Sequence, residues 1–96
     1  MSTLHTIAKS PDSRLLDSCQ PLLSQGDAVL LLEDGVLYAS RSDLLDGLSS
    51  KRKVYALRED INARGLQDKL SSQVEVISTR RFVQLCCDHK KVINWF

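Results

Sequence analysis

The chain is poor in the residues that mark specialised folds. Aromatic residues make up 5% of its 96 positions, and there are only 4 glycines and 2 prolines. So few glycines and prolines exclude a collagenous or low-complexity chain. No apolar run exceeds the five residues Ala28–Leu32. A membrane-spanning helix needs about 20. The first ten residues, MSTLHTIAKS, lack the apolar stretch of a secretory leader, so a cytoplasmic protein with no membrane partner is expected. The three cysteines form no CxxC pair. Their odd number argues against a disulfide framework and fits reduced thiols.

Charge is also scarce in net terms. The balance of +1 gives no reason to expect nucleic acid as a direct ligand. The distribution is uneven, with 3 basic and 7 acidic residues in 1–48 against 10 and 5 in 49–96. Ordinary solvated surface is the plain reading of this asymmetry, and a polarised docking surface is the sharper one. Sequence motifs for a dinucleotide loop, a phosphate-binding loop and a serine-hydrolase elbow are all missing. The cysteines and histidines lack the paired spacing of a zinc site. No cofactor and no metal are expected.

What the chain does have is regular alternation. Five short apolar runs, Leu4–Ile7, Ala28–Leu32, Val54–Leu57, Val74–Ile77 and Val92–Phe96, read as strands. The uninterrupted AVLLL run fits a central parallel strand covered on both faces, whereas Val74 and Val76 flanking Glu75 fit a strand nearer an edge. Between them lie helix-compatible stretches. Ser10 and Pro11 read as a cap and first turn, followed by a stripe of Leu15, Leu16, Cys19, Leu22 and Leu23 that Gly26 would end. Pro21 should kink or break that helix. Ser42 would cap a helix with Leu44, Leu45 and Leu48 facing inward. Ile61 suggests a short helix ended by Gly65, and Arg80–His89 reads as the last helix. The expected fold is one α/β domain over residues 1–96, three-layered, with a mostly parallel five-stranded sheet. Functional groups in such sheets gather beyond the carboxyl ends of the strands, here Lys9–Asp12, Glu33–Tyr38 and Arg58–Gly65.

The most conspicuous cluster is VQLCCDHKK, residues 83–91. Adjacent cysteines on a helix diverge by about 100°, so Cys86 and Cys87 do not clasp one ion. Phe82, Leu85, Cys86 and His89 share a stripe, with Val83 and Cys87 on the next. Core packing is the reading for Cys86. For Cys87 it is packing or, if the side chain is exposed, a thiolate favoured by Lys90 and Lys91 three and four positions on. Cys19 likewise sits within the apolar stripe of the first helix. His5 reads as a hydrogen-bonded structural histidine. The two carboxylates of LLEDG either bind a partner or cap the following turn. No nucleophile, base and orienting group can be assembled from spacing.

The order of LHTIAKSP (4–11), GDAVLLLEDGVLYA (26–39), VYALREDINARGL (54–66), FVQL (82–85) and the terminal NWF resembles the DsrH/TusB family across essentially the whole chain. These are small B-type subunits of sulfur-relay complexes. The resemblance implies a DsrEFH-like fold and a heterohexamer with homologous C-type and D-type subunits. It further implies indirect contact with sulfur-carrier proteins and a role in 2-thiolation of tRNA wobble uridine. The chemistry of such a relay is thiolate attack on a persulfide. The family's principal sulfur-carrying cysteine belongs to the D/E-type subunit, in a loop corresponding here to ALREDINARGL, which has no cysteine. A structural subunit rather than the main carrier is therefore implied. The alternative is a DsrH-type subunit of a sulfur-oxidation complex. There Cys19, matching a first-helix cysteine of that branch, would carry a persulfide as the catalytic residue.

Overall fold

A computed structural model describes residues 2–49 and 52–95. In chain order the elements are β1 (Thr3–Ile7), α1 (Leu15–Cys19), β2 (Ala28–Leu31), α2 (Ser42–Ser49), β3 (Lys53–Leu57), α3 (Arg58–Ala63), β4 (Val74–Ile77), α4 (Thr79–Asp88) and β5 (Lys91–Trp95). Short 3₁₀ turns occupy Pro11–Ser13, Gln20–Leu22 and Glu33–Ser40.

The five strands form one sheet in the order β4-β3-β2-β1-β5, and all four pairings are parallel. AVLL sits at its centre and is buried on both faces, as its continuous apolarity requires. β4, with the exposed Glu75, is an edge. The chain steps in one direction from β1 to β4, then reverses to place β5 beyond β1. With right-handed crossovers, that reversal puts the last connecting helix on the opposite face from the other three.

The core divides accordingly. Ile7, Val29, Leu31, Val54 and Ala56 point to one side, where α1, α2 and α3 deliver Leu16, Cys19, Leu45, Leu48 and Ile61. Leu4, Ala28, Leu30, Tyr55 and Ile77 point to the other, where α4 alone supplies Leu85, with Phe82 and Cys86 half-buried. This is the three-layer arrangement expected from the alternation.

The first helix departs from its apolar stripe. Pro21 lacks the N–H that a longer helix needs, so α1 stops at Cys19 and the chain tightens into a 3₁₀ turn. The change of period turns Leu22 out to solvent, 62% exposed, and turns Leu23 in. Gly26 therefore ends no helix. It takes φ +89° in the turn entering β2. Ser10 does not cap with its side chain; its carbonyl instead accepts from the Ser13 amide and hydroxyl. Ser42 begins α2 rather than preceding it, and its hydroxyl donates to Ser71. The last helix starts one residue before the expected Arg80, with Ser78 accepting from the Arg81 amide. Phe96, expected in the last strand, lies outside the described residues.

Candidate functional site: the carboxyl rim and three separated thiols

The loops after β1, β2 and β3 meet at the carboxyl edge of the sheet, as the parallel topology requires. The Leu32 amide donates to the Ile7 carbonyl across 3.1 Å, drawing the end of β2 over the end of β1. A Cβ on Gly35 would stand 1.9 Å from that same Ile7 carbonyl oxygen, so only glycine fits there. Glu33, immediately after the strand, adopts the left-handed φ of 50° that a side chain disfavours. Its amide is anchored by the Asp60 carboxylate at 2.7 Å.

Arg64 completes the tie. Its guanidinium donates to Asp34 Oδ1 from Nη2 at 2.9 Å and from Nε at 3.2 Å, and it stands 3.8 Å from Asp60. The carboxylates of LLEDG thus neither cap their own turn nor act as a pair. Asp34 reaches across to the loop after β3, while the Glu33 side chain is left exposed. Thr79 donates to Glu59 at 2.9 Å, extending the network to the loop after β4. LLEDG and D…ARG are therefore two halves of one cross-loop link. The rim is held firmly but carries no thiol between Arg58 and Leu66.

The three thiols lie apart from this rim. Cys19 is 0% exposed between α1 and the sheet. Burial, and then the negative charge of Asp27, push its thiol from 9.0 up to about 11. Asp27 precedes β2, so Cys19 lies toward the amino ends of the strands, opposite the rim. Cys86 is half-buried against the other face of the sheet; burial, then the neighbouring Cys87, raise its thiol. Cys87 is exposed. Packing describes Cys19 and Cys86, whereas Cys87 is turned to solvent because the apolar stripe of α4 runs through Phe82, Leu85 and Cys86 instead.

Sequence reasoning gave His5 a structural role without finding its partners. They are Asp27, whose Oδ2 lies 3.1 Å from Nε2, and Trp95, whose indole N–H donates to Nδ1 across 3.1 Å. Because Nδ1 accepts, Nε2 carries the proton and donates to Asp27. Asp27 also accepts from the amides of Ser24 and Thr3. Burial works to raise its carboxyl, but the Ser24 amide, the His5 ring and the Thr3 amide outweigh it and hold Asp27 below the usual carboxylate range. Asp27 and Trp95 stand 22 and 90 positions from His5, beyond any local periodicity.

A family model described as DsrH like protein matches residues 9–92. The chain belongs to the DsrH family. The protein TusB of Pectobacterium atrosepticum is 40% identical to it over 94 residues, covering 96% of this chain and 99% of that protein. The protein TusB of Escherichia coli is 39% identical over the same share of both chains. Among solved structures, the ychN protein of E. coli superposes with a TM-score of 0.80 over 99% of this chain and all of that one. At 18% identity, that likeness concerns the fold. The Tm0979 protein of Thermotoga maritima gives a TM-score of 0.67 at 25% identity, covering 90% of this chain and 92% of that one. Both likenesses agree with the parallel five-stranded α/β sheet of this chain. Among the described residues no helix is long and apolar enough to cross a membrane.

Proposed function

We propose that this chain is a cytoplasmic subunit of a TusBCD-like sulfur relay supporting 2-thiolation of tRNA wobble uridine. In this reading it completes a heterohexamer with homologous C-type and D-type subunits and meets sulfur carriers only through them. It neither binds nucleic acid directly nor carries the principal persulfide. The observation that carries the reading is a rigid carboxyl rim without a cysteine in a chain whose first-helix thiol is sealed in the core. Full-length similarity to proteins called TusB supports the choice of pathway.

The test is deletion of the chain followed by mass spectrometry of tRNA. Loss of wobble 2-thiouridine, restored by the wild-type chain and by a variant with all three cysteines replaced by serine or alanine, is the expected outcome. Unchanged thiolation after deletion removes the tRNA assignment.

A second reading, persulfide transport by Cys19 in a sulfur-oxidation complex, has in its favour the place of that cysteine on the first helix. It requires α1 to lift from the sheet, since a thiolate must be both formed and reached. Incubating the assembled complex with a cysteine desulfurase and labelled cysteine, then mapping the label, separates the two. Label on Cys19 selects the second reading, and label confined to a partner selects the first.

A further inference from the structure

The helices that cover the sheet stop short of its last strand. β1 is sealed on both faces, with Leu4 and Ile7 wholly buried, whereas β5 is exposed from Lys91 to Asn94 and half-buried only at Trp95. Successive strand residues point to opposite faces. Val92 therefore lies with its partner Leu4 on the face covered by α4, and Ile93 lies with Trp95 on the face of α1, α2 and α3. Val92 is 40% exposed and Ile93 41%, so the strand is bare on both faces at once. Its outer edge has no strand beside it among the described residues, which leaves alternate backbone amides and carbonyls without a strand partner.

The opposite edge is built differently. In β4, Val74 and Val76 are half-buried, and Glu75 stands exposed between them. A carboxylate inside an edge strand opposes pairing with a further strand. β5 carries no acid, and its charge is confined to Lys91 at the first position, with Lys90 just before it. Because Val92 and Ile93 face opposite ways, a partner laid on either face would cover one and leave the other in water. A strand joined along the edge borders both.

We propose that β5 pairs with β5 of a second copy of this chain, antiparallel across a two-fold axis at Ile93, joining the two five-stranded sheets into one. In this register the strand is its own complement. The two Ile93 side chains meet on one face, where Lys91 of each copy lies opposite the uncharged indole of Trp95. On the other face each Val92 lies beside Asn94 of the second copy, whose side-chain oxygen already accepts from the Thr6 hydroxyl. The two Lys91 stand about 13 Å apart along the strands, beyond the screening length of about 8 Å at physiological salt. Parallel pairing would set them side by side. A contact of one edge with itself closes at the dimer, and the outer β4 edges, each guarded by Glu75, end the joined sheet. Five paired residues span about 17 Å and bury less than the ~800 Å² per partner of a standard interface, so an affinity on the order of micromolar is expected. The inference concerns this chain alone and does not rest on the relay reading.

Sedimentation velocity of the full chain, over concentrations spanning the micromolar range, tests this. A monomer–dimer equilibrium is the expected result. Ile93→Lys puts two like charges on the axis and should weaken the dimer roughly tenfold or more. Because Ile93 is exposed, the thermal transition of the monomer should stay in place. Independently, Ile93→Cys in a Cys87→Ser background should form an intermolecular disulfide at position 93 on mild oxidation, assigned by peptide mass spectrometry. Leu22→Cys in the same background, exposed elsewhere on the surface, should not cross-link. A chain that stays monomeric throughout the range overturns the proposal. So does a dimer that Ile93→Lys leaves intact, or one that cross-links through position 22 and not through 93. None of these results bears on tRNA thiolation, whose loss on deletion tests the relay reading separately.

Discussion

Trp95 donates its indole N–H to the Nδ1 of His5 across 3.1 Å, joining the last strand to the first. The rings stack with centroids 6.3 Å apart, so the edge strand β5 is fastened by a side chain as well as by its backbone pairing. Trp95→Phe keeps an aromatic ring but removes the donor. Water can reach the half-buried site, so the expected loss is only about 1–2 kcal/mol. His5→Ala also strips Asp27 of a donor in a buried position and should cost more, about 2–4 kcal/mol. Urea denaturation measures both. An equal effect of the two substitutions would show that Asp27 gains nothing from His5.

Gly35 makes the sharpest steric prediction. Its Cβ position coincides with the backbone of Ile7, which cannot rotate away as a side chain would. Gly35→Ala must separate the end of β1 from the loop after β2, at a cost of roughly 3 kcal/mol or more. Soluble yield and the urea midpoint report the effect. A variant as stable as wild type would mean that the two loops do not meet as described.

Two residues earlier the prediction reverses sign. Glu33 holds a left-handed conformation that costs a side chain about 1 kcal/mol, and its carboxylate is exposed. Glu33→Gly relieves the strain but leaves a more flexible unfolded chain. The expected result is stability unchanged or raised by up to about 1 kcal/mol. Arg64→Ala, by contrast, removes an ion pair whose acidic partner is largely exposed and should cost about 1 kcal/mol. Thermal melts of both variants check the pair of signs.

Much of this fold could be read from alternation alone, because a strand buried on both faces must be apolar throughout and β2 is. Leu44, Leu45 and Leu48 declared the inward face of α2 in the same way. The 3₁₀ stretch Glu33–Ser40 could not be read, since its turn is set by the close approach of Gly35 to β1 rather than by local propensity. Leu22 leaves the apolar stripe because one proline changes the period under it. At the rim, LLEDG and D…ARG were visible as motifs, but that Asp34 answers Arg64 depends on β2 and β3 being neighbours. Spacing leaves the exposure of Cys87 open, and the adjacent Cys86 decides it by taking the inward position.

Alkylation gives a direct measure of these thiol environments. In the isolated native chain Cys87 should react with iodoacetamide first and Cys86 more slowly. Cys19 should react only on unfolding, being wholly buried with its thiol held protonated. Mass spectrometry of a timed quench gives the order. Early modification of Cys19 would show that α1 opens readily, the condition that the persulfide-carrying reading needs.

The same thiol sets a pH dependence at the alkaline end. Cys19 titrates near its ordinary 9.0 when the chain is unfolded and at about 11 when folded, so between these values the unfolded chain alone loses the proton. Ionisation then favours the unfolded state. The contribution is fully present below pH 9 and is lost as pH rises toward 11. Asp27 acts in the opposite sense at the acid end. Its carboxyl is held low in the folded chain, so its contribution is present above the ordinary carboxylate range and is lost as pH falls below about 4. Urea midpoints measured across both windows should fall at each extreme. Cys19→Ala should flatten the alkaline fall and leave the acid one, whereas Asp27→Asn should flatten the acid fall from a lower starting stability. An alkaline fall undiminished in Cys19→Ala would assign it to other groups and would mean that the Cys19 thiol is not held protonated by the core.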